Sequence, residues 1–187
     1  MSNVVKNSVS SRTGPAITCR RIAPVVSTDL AEVQAAFSAV PAVQLEQAWQ
    51  ATPSNNFAPA SVRVAWRDDV LLVFAVLTDA EIISSSTNLN QRLWELGDAF
   101  EMFFRPEDQE AYLELQVSPN NHRLQLRYAN TAALERARST GSIHEALIHG
   151  EAFRSHVWVE AQKSCWYVLA EIPTRLVQAS GAARGGD

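Results

Sequence analysis

An all-β fold, an antiparallel β-sandwich with one or two short helices, is what this sequence predicts. Three observations carry the prediction. Short runs in which apolar and polar residues alternate recur along the chain, as half-buried strands require. Clusters of turn-forming residues, such as Asp68-Asp69 and Pro119-Asn120-Asn121, separate those runs. Helical spacing is confined to two short stretches. No internal repeat points to a propeller or solenoid.

The elements follow in order. "AITCRRIA" reads as a short first strand. In "STDLAEVQAAFSAV" Thr28 is placed to cap a helix whose face holds Leu30, Val33 and Phe37, and Pro41 closes it. "AVQLEQAW" alternates like a strand, and "TPSNNFAPAS" is a loop by composition. "SVRVAW" sets Val62, Val64 and Trp66 against Arg63 and Ala65; Asp68 and Asp69 then turn the chain into "VLLVFAVL". A run this apolar on both faces is expected of a central strand covered on both sides, and Asp79 ends it.

"EIISSSTNLNQRLW" lacks periodicity and reads as a long loop, the kind of segment that carries binding residues on a rigid scaffold. "DAFEMFFR" is the next strand: Ala99, Glu101, Phe103 and Arg105 share one side, and Met102 joins Phe100 and Phe104 on the other as core. "YLELQVS" and "HRLQLRY" look like neighbours in a meander, each alternating cleanly. "TAALERARSTGS" predicts a brief helical turn. "AFRSHVWVEAQ" and "CWYVLAEIP" are two strands joined at "KS", with Trp166, Val168, Ala170 and Ile172 forming one apolar face. The organisation expected is a flexible leader over 1–14, one sandwich domain over 15–176, and a flexible or truncated tail over 177–187.

Composition narrows the function classes. A chain of 187 residues with 47% hydrophobic and 19% charged residues suits one globular domain. A net charge of -4 argues against a nucleic-acid partner, which needs a concentrated basic surface. No apolar run has membrane-spanning length, so no membrane partner is expected. The N-terminus shows no signal-peptide pattern, which predicts a cytoplasmic protein as the sequence stands; a mis-assigned N-terminus would make it secreted or periplasmic. Cys19 and Cys165 form no Cys-x-x-Cys pair. They read as buried free thiols, with a disulfide between the first and last strands as the alternative.

The chemistry is expected on a polar sheet face. Tyr112, Glu114 and Gln116 are taken to lie opposite Arg123, Gln125 and Arg127, with Glu101 joining from the preceding strand. One reading is a solvated face with cross-strand ion pairs. The other is a surface of forked amides, carboxylates and guanidinium groups that bridge paired sugar hydroxyls, with Trp94 covering the sugar's C–H face. The glutamates also raise glycoside hydrolysis, which needs two carboxylates at a set separation, but alternating faces offer such pairs by chance. No Gly-x-Ser-x-Gly elbow is present. The four histidines have no metal-ligand spacing, and no cofactor is called. Asp79 and Asp98 are the carboxylates available to calcium, without a spacing that defines a site.

The order of "VRVAWRDDVLLVFAVLTD", "LWELGDAFEMFFRP", "YLELQVSPNN" and "WYVLAEIP" resembles the family 9 carbohydrate-binding modules and the wider DOMON-like sandwich group, over roughly residues 40 to 176. The resemblance implies a jelly-roll sandwich that binds a mono- or oligosaccharide, or a polysaccharide end, without catalysis. It implies a clamp of two tryptophans, with Trp94 at the position of the first, and structural calcium. The second tryptophan belongs to a segment past "AEIP", where this chain has no match. The expected site is Trp94 for stacking, with Glu101, Glu114, Gln116 and Arg127 for polar contacts. Two alternatives stand beside it: an interaction domain that kept the sandwich and lost the ligand, in which Trp94 would be largely buried, and, more weakly, a glycoside hydrolase.

Overall fold

Nine strands and three helices form in the computed structural model, which describes residues 16–178 except 53 and 108. The expected leader and most of the expected tail lie outside the described residues. The strands are β1 (Arg20–Arg21), β2 (Val43–Gln44), β3 (Ala60–Arg67), β4 (Val70–Thr78), β5 (Phe100–Phe104), β6 (Tyr112–Val117), β7 (Arg123–Tyr128), β8 (Arg154–Glu160) and β9 (Cys165–Pro173). The helices are α1 (Leu30–Phe37), α2 (Thr131–Thr140) and α3 (Thr174–Gln178). Two sheets face each other, one in the order β1-β3-β4-β9-β8 with β2 also on β3, the other in the order β5-β6-β7. The pairing is antiparallel throughout except for β1, which runs parallel to β3.

The apolar run 70–78 takes the central place its composition predicts. On one side Val73 and Ala75 of β4, with Trp166, Val168, Ala170 and Ile172 of β9, meet Met102, Leu113, Leu115 and Val117 of the small sheet. On the other side α1 covers Leu72, Phe74 and Leu169 with Val33 and Phe37. The Phe37 and Phe74 rings sit 5.3 Å apart. Strands β4 and β9 are therefore buried on both faces, which is why neither alternates. The cap of α1 is Asp29 rather than Thr28: its side chain accepts from the backbone N–H of Ala31 and Glu32.

The small sheet departs from expectation at β7. The loop from Ser118 to His122 has an odd number of residues and sets Val117 opposite Arg123. Leu124, Leu126 and Tyr128 thus share a face with Gln116, Glu114 and Tyr112, while Arg123, Gln125 and Arg127 turn inward. The expected pairing of Glu114 and Gln116 with three polar residues of the next strand is corrected by this register. The leucines still find a core, because α2, Leu93 and Ala146 close over the outer face and bury them.

The inward polar side chains at this edge tie down passing backbone. Gln125 donates to Gly150 O (2.8 Å) and accepts from Ala152 N (2.8 Å). Arg123 pairs with Glu151 (2.8 Å), and Arg127 donates to Leu176 O (2.5 Å). "TAALERARSTGS" forms a ten-residue helix, longer than the brief turn expected; Asn130 caps its start and Gly141 ends it at φ 66°. Cys165 is buried and Cys19 half-buried, and both thiols are free. Among the described residues, no helix is long and apolar enough to cross a membrane.

Candidate functional site

The long segment between β4 and β5 is held like a strand without being one. Gly97 bridges Ser84 at φ 133°, and a Cβ there would lie 2.3 Å from Ile83 O, so only glycine permits the approach. Asp98 accepts from Ile83 N through its side chain (2.6 Å), and Ser85 N donates to Leu96 O (2.8 Å). Further back, buried Ser86 and Ser118 hydroxyls gather on Asn120 Oδ1 (2.7 and 2.6 Å), tying the segment to the β6–β7 turn. Asn90 reaches the free edge of β7, donating to Ile148 O (2.9 Å) and accepting from Gln125 N (3.1 Å). These anchors fix a single 3₁₀ turn, Leu93–Glu95, whose Leu93 is buried and whose Trp94 is 43% exposed.

Trp94 stands at the rim of an open cleft of about 450 Å³ on the outer face of the small sheet. Its floor is made by Glu101 and Phe103 of β5, Tyr112, Glu114 and Gln116 of β6, and Tyr128 of β7. Leu134, Ala137 and Arg138 of α2 form one wall, and the turn with Arg92 and Trp94 the other. Arg92 joins the walls: it pairs with Glu95 (3.0 Å) and donates to the carbonyl of Gly141 at the end of α2. Phe103 is 60% exposed, an unusual state for a phenylalanine in mid-strand. The Tyr112 and Tyr128 rings stack 5.1 Å apart beneath the cleft.

Four of the five residues expected at the site, Trp94, Glu101, Glu114 and Gln116, line this one cleft. Arg127 does not; the register sends it to the inner face, where it holds α3. The sequence places Tyr112 and Phe103 on the polar face without marking them as site residues, and it gives no sign of Arg92 and Arg138 as neighbours. Phe103 was legible from its alternation with Glu101, whereas Arg138 depends on a helix whose length the sequence did not reveal. No aromatic residue occurs in 174–187. Among the described residues Phe103 is the second exposed ring lining the cleft.

Charge shapes the floor. Gln116 is fully buried; its Nε2 donates to Glu114 Oε1 (2.8 Å) and its Oε1 has no donor. Burial raises the pKa of Glu114, opposed by that hydrogen bond and by the nearby Arg138 charge. Glu101 is raised by burial and by the charge on Glu114. Burial and the same carboxylate push Tyr112 up to about 12. Elsewhere, Asp79 and Asp98 come close, and burial raises the pKa of Asp98 while its bond to Ile83 N opposes it. Among the described residues, no three His, Cys, Asp or Glu side chains converge as a metal site would need. No calcium ligands are assigned.

An aromatic-rimmed, carboxylate-floored cleft on the face of a sandwich, held by loops that the sheet rigidifies, defines a binding-module architecture. The chain belongs to the carbohydrate family 9 binding domain-like family, whose model matches residues 31–181. Among solved structures it is similar to a proposed carbohydrate-binding protein from Bacteroides uniformis, with TM-score 0.61 and 14% identity over 90% of this chain and 78% of that one. It is also similar to a family 9 carbohydrate-binding module from Caldicellulosiruptor kristjanssonii in complex with cellotriose, with TM-score 0.53 and 16% identity over 83% of this chain and 66% of that one. The same module in complex with glucose gives TM-score 0.51 and 15% identity, over 82% and 66%. At these identities the likeness is one of fold. No curated protein matches the sequence.

Proposed function

We propose that the chain is a noncatalytic carbohydrate-binding module, and that the cleft of Trp94, Phe103, Glu101, Glu114 and Gln116 is its sugar site. The observation that carries this reading is the convergence of two exposed aromatic rings and two carboxylates on one open cleft. A pyranose presents an apolar C–H face and a rim of hydroxyls. Trp94 or Phe103 covers the former, while the forked carboxylates of Glu101 and Glu114 receive the latter. The rings stand exposed before any ligand arrives, so the site is pre-formed and binding orders few side chains. The interaction-domain alternative called for a largely buried Trp94, and its 43% exposure speaks against that.

Glu101 and Glu114 sit on neighbouring strands in this cleft, where a ligand's oxygen atoms can be bridged by both. Their role here is recognition: Glu114 is held by Gln116 as a hydrogen-bonded carboxylate. Calorimetry and affinity electrophoresis against glucose, cello-oligosaccharides, xylo-oligosaccharides and their soluble polymers test the reading. Saturable binding to at least one of them is expected. Absence of binding to all of them would return the fold to the interaction-domain alternative. Release of sugar or an aryl leaving group would overturn the noncatalytic part.

A further inference from the structure

We propose that the cleft selects cationic amino sugars, the 2-amino-2-deoxyhexoses and their short oligomers, over the matching neutral sugars; this rests on the carbohydrate-binding reading above. The warrant is an inventory of hydrogen-bonding groups. Gln116 Oε1 is fully buried at the cleft floor and receives no donor from the protein. Glu114 receives one bond, from Gln116, on one oxygen only. Glu101 has no hydrogen bond or ion pair among the described residues. The floor therefore offers a ligand two carboxylates with acceptor oxygens left over and two formal negative charges, with the buried Gln116 holding Glu114 from beneath.

The donors that could answer them are largely committed. Arg92 is taken by Glu95 and by Gly141 O across the cleft mouth. Arg138 of α2 acts on Glu114 at a distance without pairing to it. Glu101 is exposed and Glu114 half-buried, so both carboxylates can be reached from the cleft, and a ligand is favoured that brings donors and positive charge to them. A hydroxyl brings one of each. An alkylammonium brings three donors and the charge that two carboxylates want. The ammonium is also attracted to the aromatic rings of Trp94, Phe103 and Tyr112, which line the same cleft. The charged and titratable groups facing Glu101 are Glu114 and Tyr112 of β6, Tyr128 of β7, Arg138 of α2, and Arg92 with Glu95 at the turn, so the acidic pair dominates the floor itself.

The test is isothermal calorimetry on the whole chain near neutral pH, at matched ionic strength. Glucosamine, N-acetylglucosamine and glucose are the probes, with chitosan trimer for the oligomer. Glucosamine is expected to bind at least about tenfold tighter than glucose, one desolvated ionic contact's worth. N-acetylglucosamine, which keeps the skeleton but loses the charge, should show no such gain. Added salt should weaken glucosamine and leave glucose nearly unchanged. Glu101→Gln, confirmed folded by its thermal melt, should bring the glucosamine-to-glucose affinity ratio close to one. Equal affinity for glucosamine and glucose, or a ratio that survives Glu101→Gln, overturns the inference while the carbohydrate reading stands. Tetramethylammonium binding as tightly as glucosamine overturns it as well, because the sugar ring would then contribute nothing. Absence of binding to both glucosamine and chitosan trimer overturns the inference, whereas the carbohydrate reading falls only if glucose, the cello- and xylo-oligosaccharides and their polymers fail as well.

Discussion

Replacing Trp94 by alanine removes the ring on which the binding account leans most. The side chain is 43% exposed, so of the roughly 250 Å² that a tryptophan can bury, about 100 Å² remains open to a ligand. A sugar ring covering half of that removes about 50 Å² from water, worth about 1.2 kcal/mol at roughly 25 cal/mol per Å². Face-to-face contact adds about 0.5–1.5 kcal/mol. The expected loss is about 2 kcal/mol, a weakening of roughly 30-fold in Kd. The fold should barely notice, because the turn is anchored through buried Leu93 and through Asp98 and Ser85, not through the indole. Calorimetric titration of wild type, Trp94→Ala and Trp94→Phe, with thermal melts in parallel, separates the terms. Trp94→Phe should recover most of the affinity. A Trp94→Ala variant that binds as tightly as wild type refutes the stacking argument; one that loses affinity only because its melting temperature collapses refutes the claim that the ring faces ligand rather than core.

Other consequences follow from the same geometry. Gly97→Ala places a Cβ 2.3 Å from Ile83 O at φ 133°; strain of about 1–3 kcal/mol should lower the melting temperature by about 2–12 °C and loosen the Trp94 turn in hydrogen exchange. Phe37→Ala empties the contact between α1 and the large sheet, a cost of about 3–5 kcal/mol readable by denaturant titration, with little change in binding. Glu101→Gln has a pH signature. The folded pKa of Glu101 is raised, so the folded state takes up its proton more readily than the unfolded chain, and the native carboxylate costs stability as pH rises through that window. The variant should therefore be more stable than wild type at neutral pH, by no more than a few tenths of a kcal/mol because solvent screens this exposed carboxylate, and no more stable once the pH lies below the unfolded value. A melt difference of the opposite sign at neutral pH would show that Glu101 is paired.

The strands were legible because each carries its own evidence. Val70 to Thr78 announces a doubly covered strand by having no polar face, Cys165 to Pro173 reads as a strand by its apolar run, and β5 and β6 do so by alternation. The register of β7 was not legible. Its alternation is equally consistent with leucines in or out, and the choice depends on a five-residue loop and on a helix that arrives later to cover the outer face. Inward polar residues at a sheet edge are unexpected until the backbone they bond, at Gly150, Ala152 and Leu176, is in place. Arg127 left the site for that reason, while Trp94, Glu101, Glu114 and Gln116 stayed together because β5 and β6 pair in register. Phe103 was on the right face from the start, but exposure is a property of neighbours, and no pattern within "DAFEMFF" states it.

The most direct test of the central claim is a ¹H–¹⁵N correlation experiment with titrated sugar, following the five indole signals and the backbone amides. The account predicts saturable shifts of the Trp94 indole and of amides in 100–104 and 112–117, with a single dissociation constant, while the more exposed Trp49 stays in place. Shifts centred on Trp49, or none near Trp94 at saturating ligand, would contradict it.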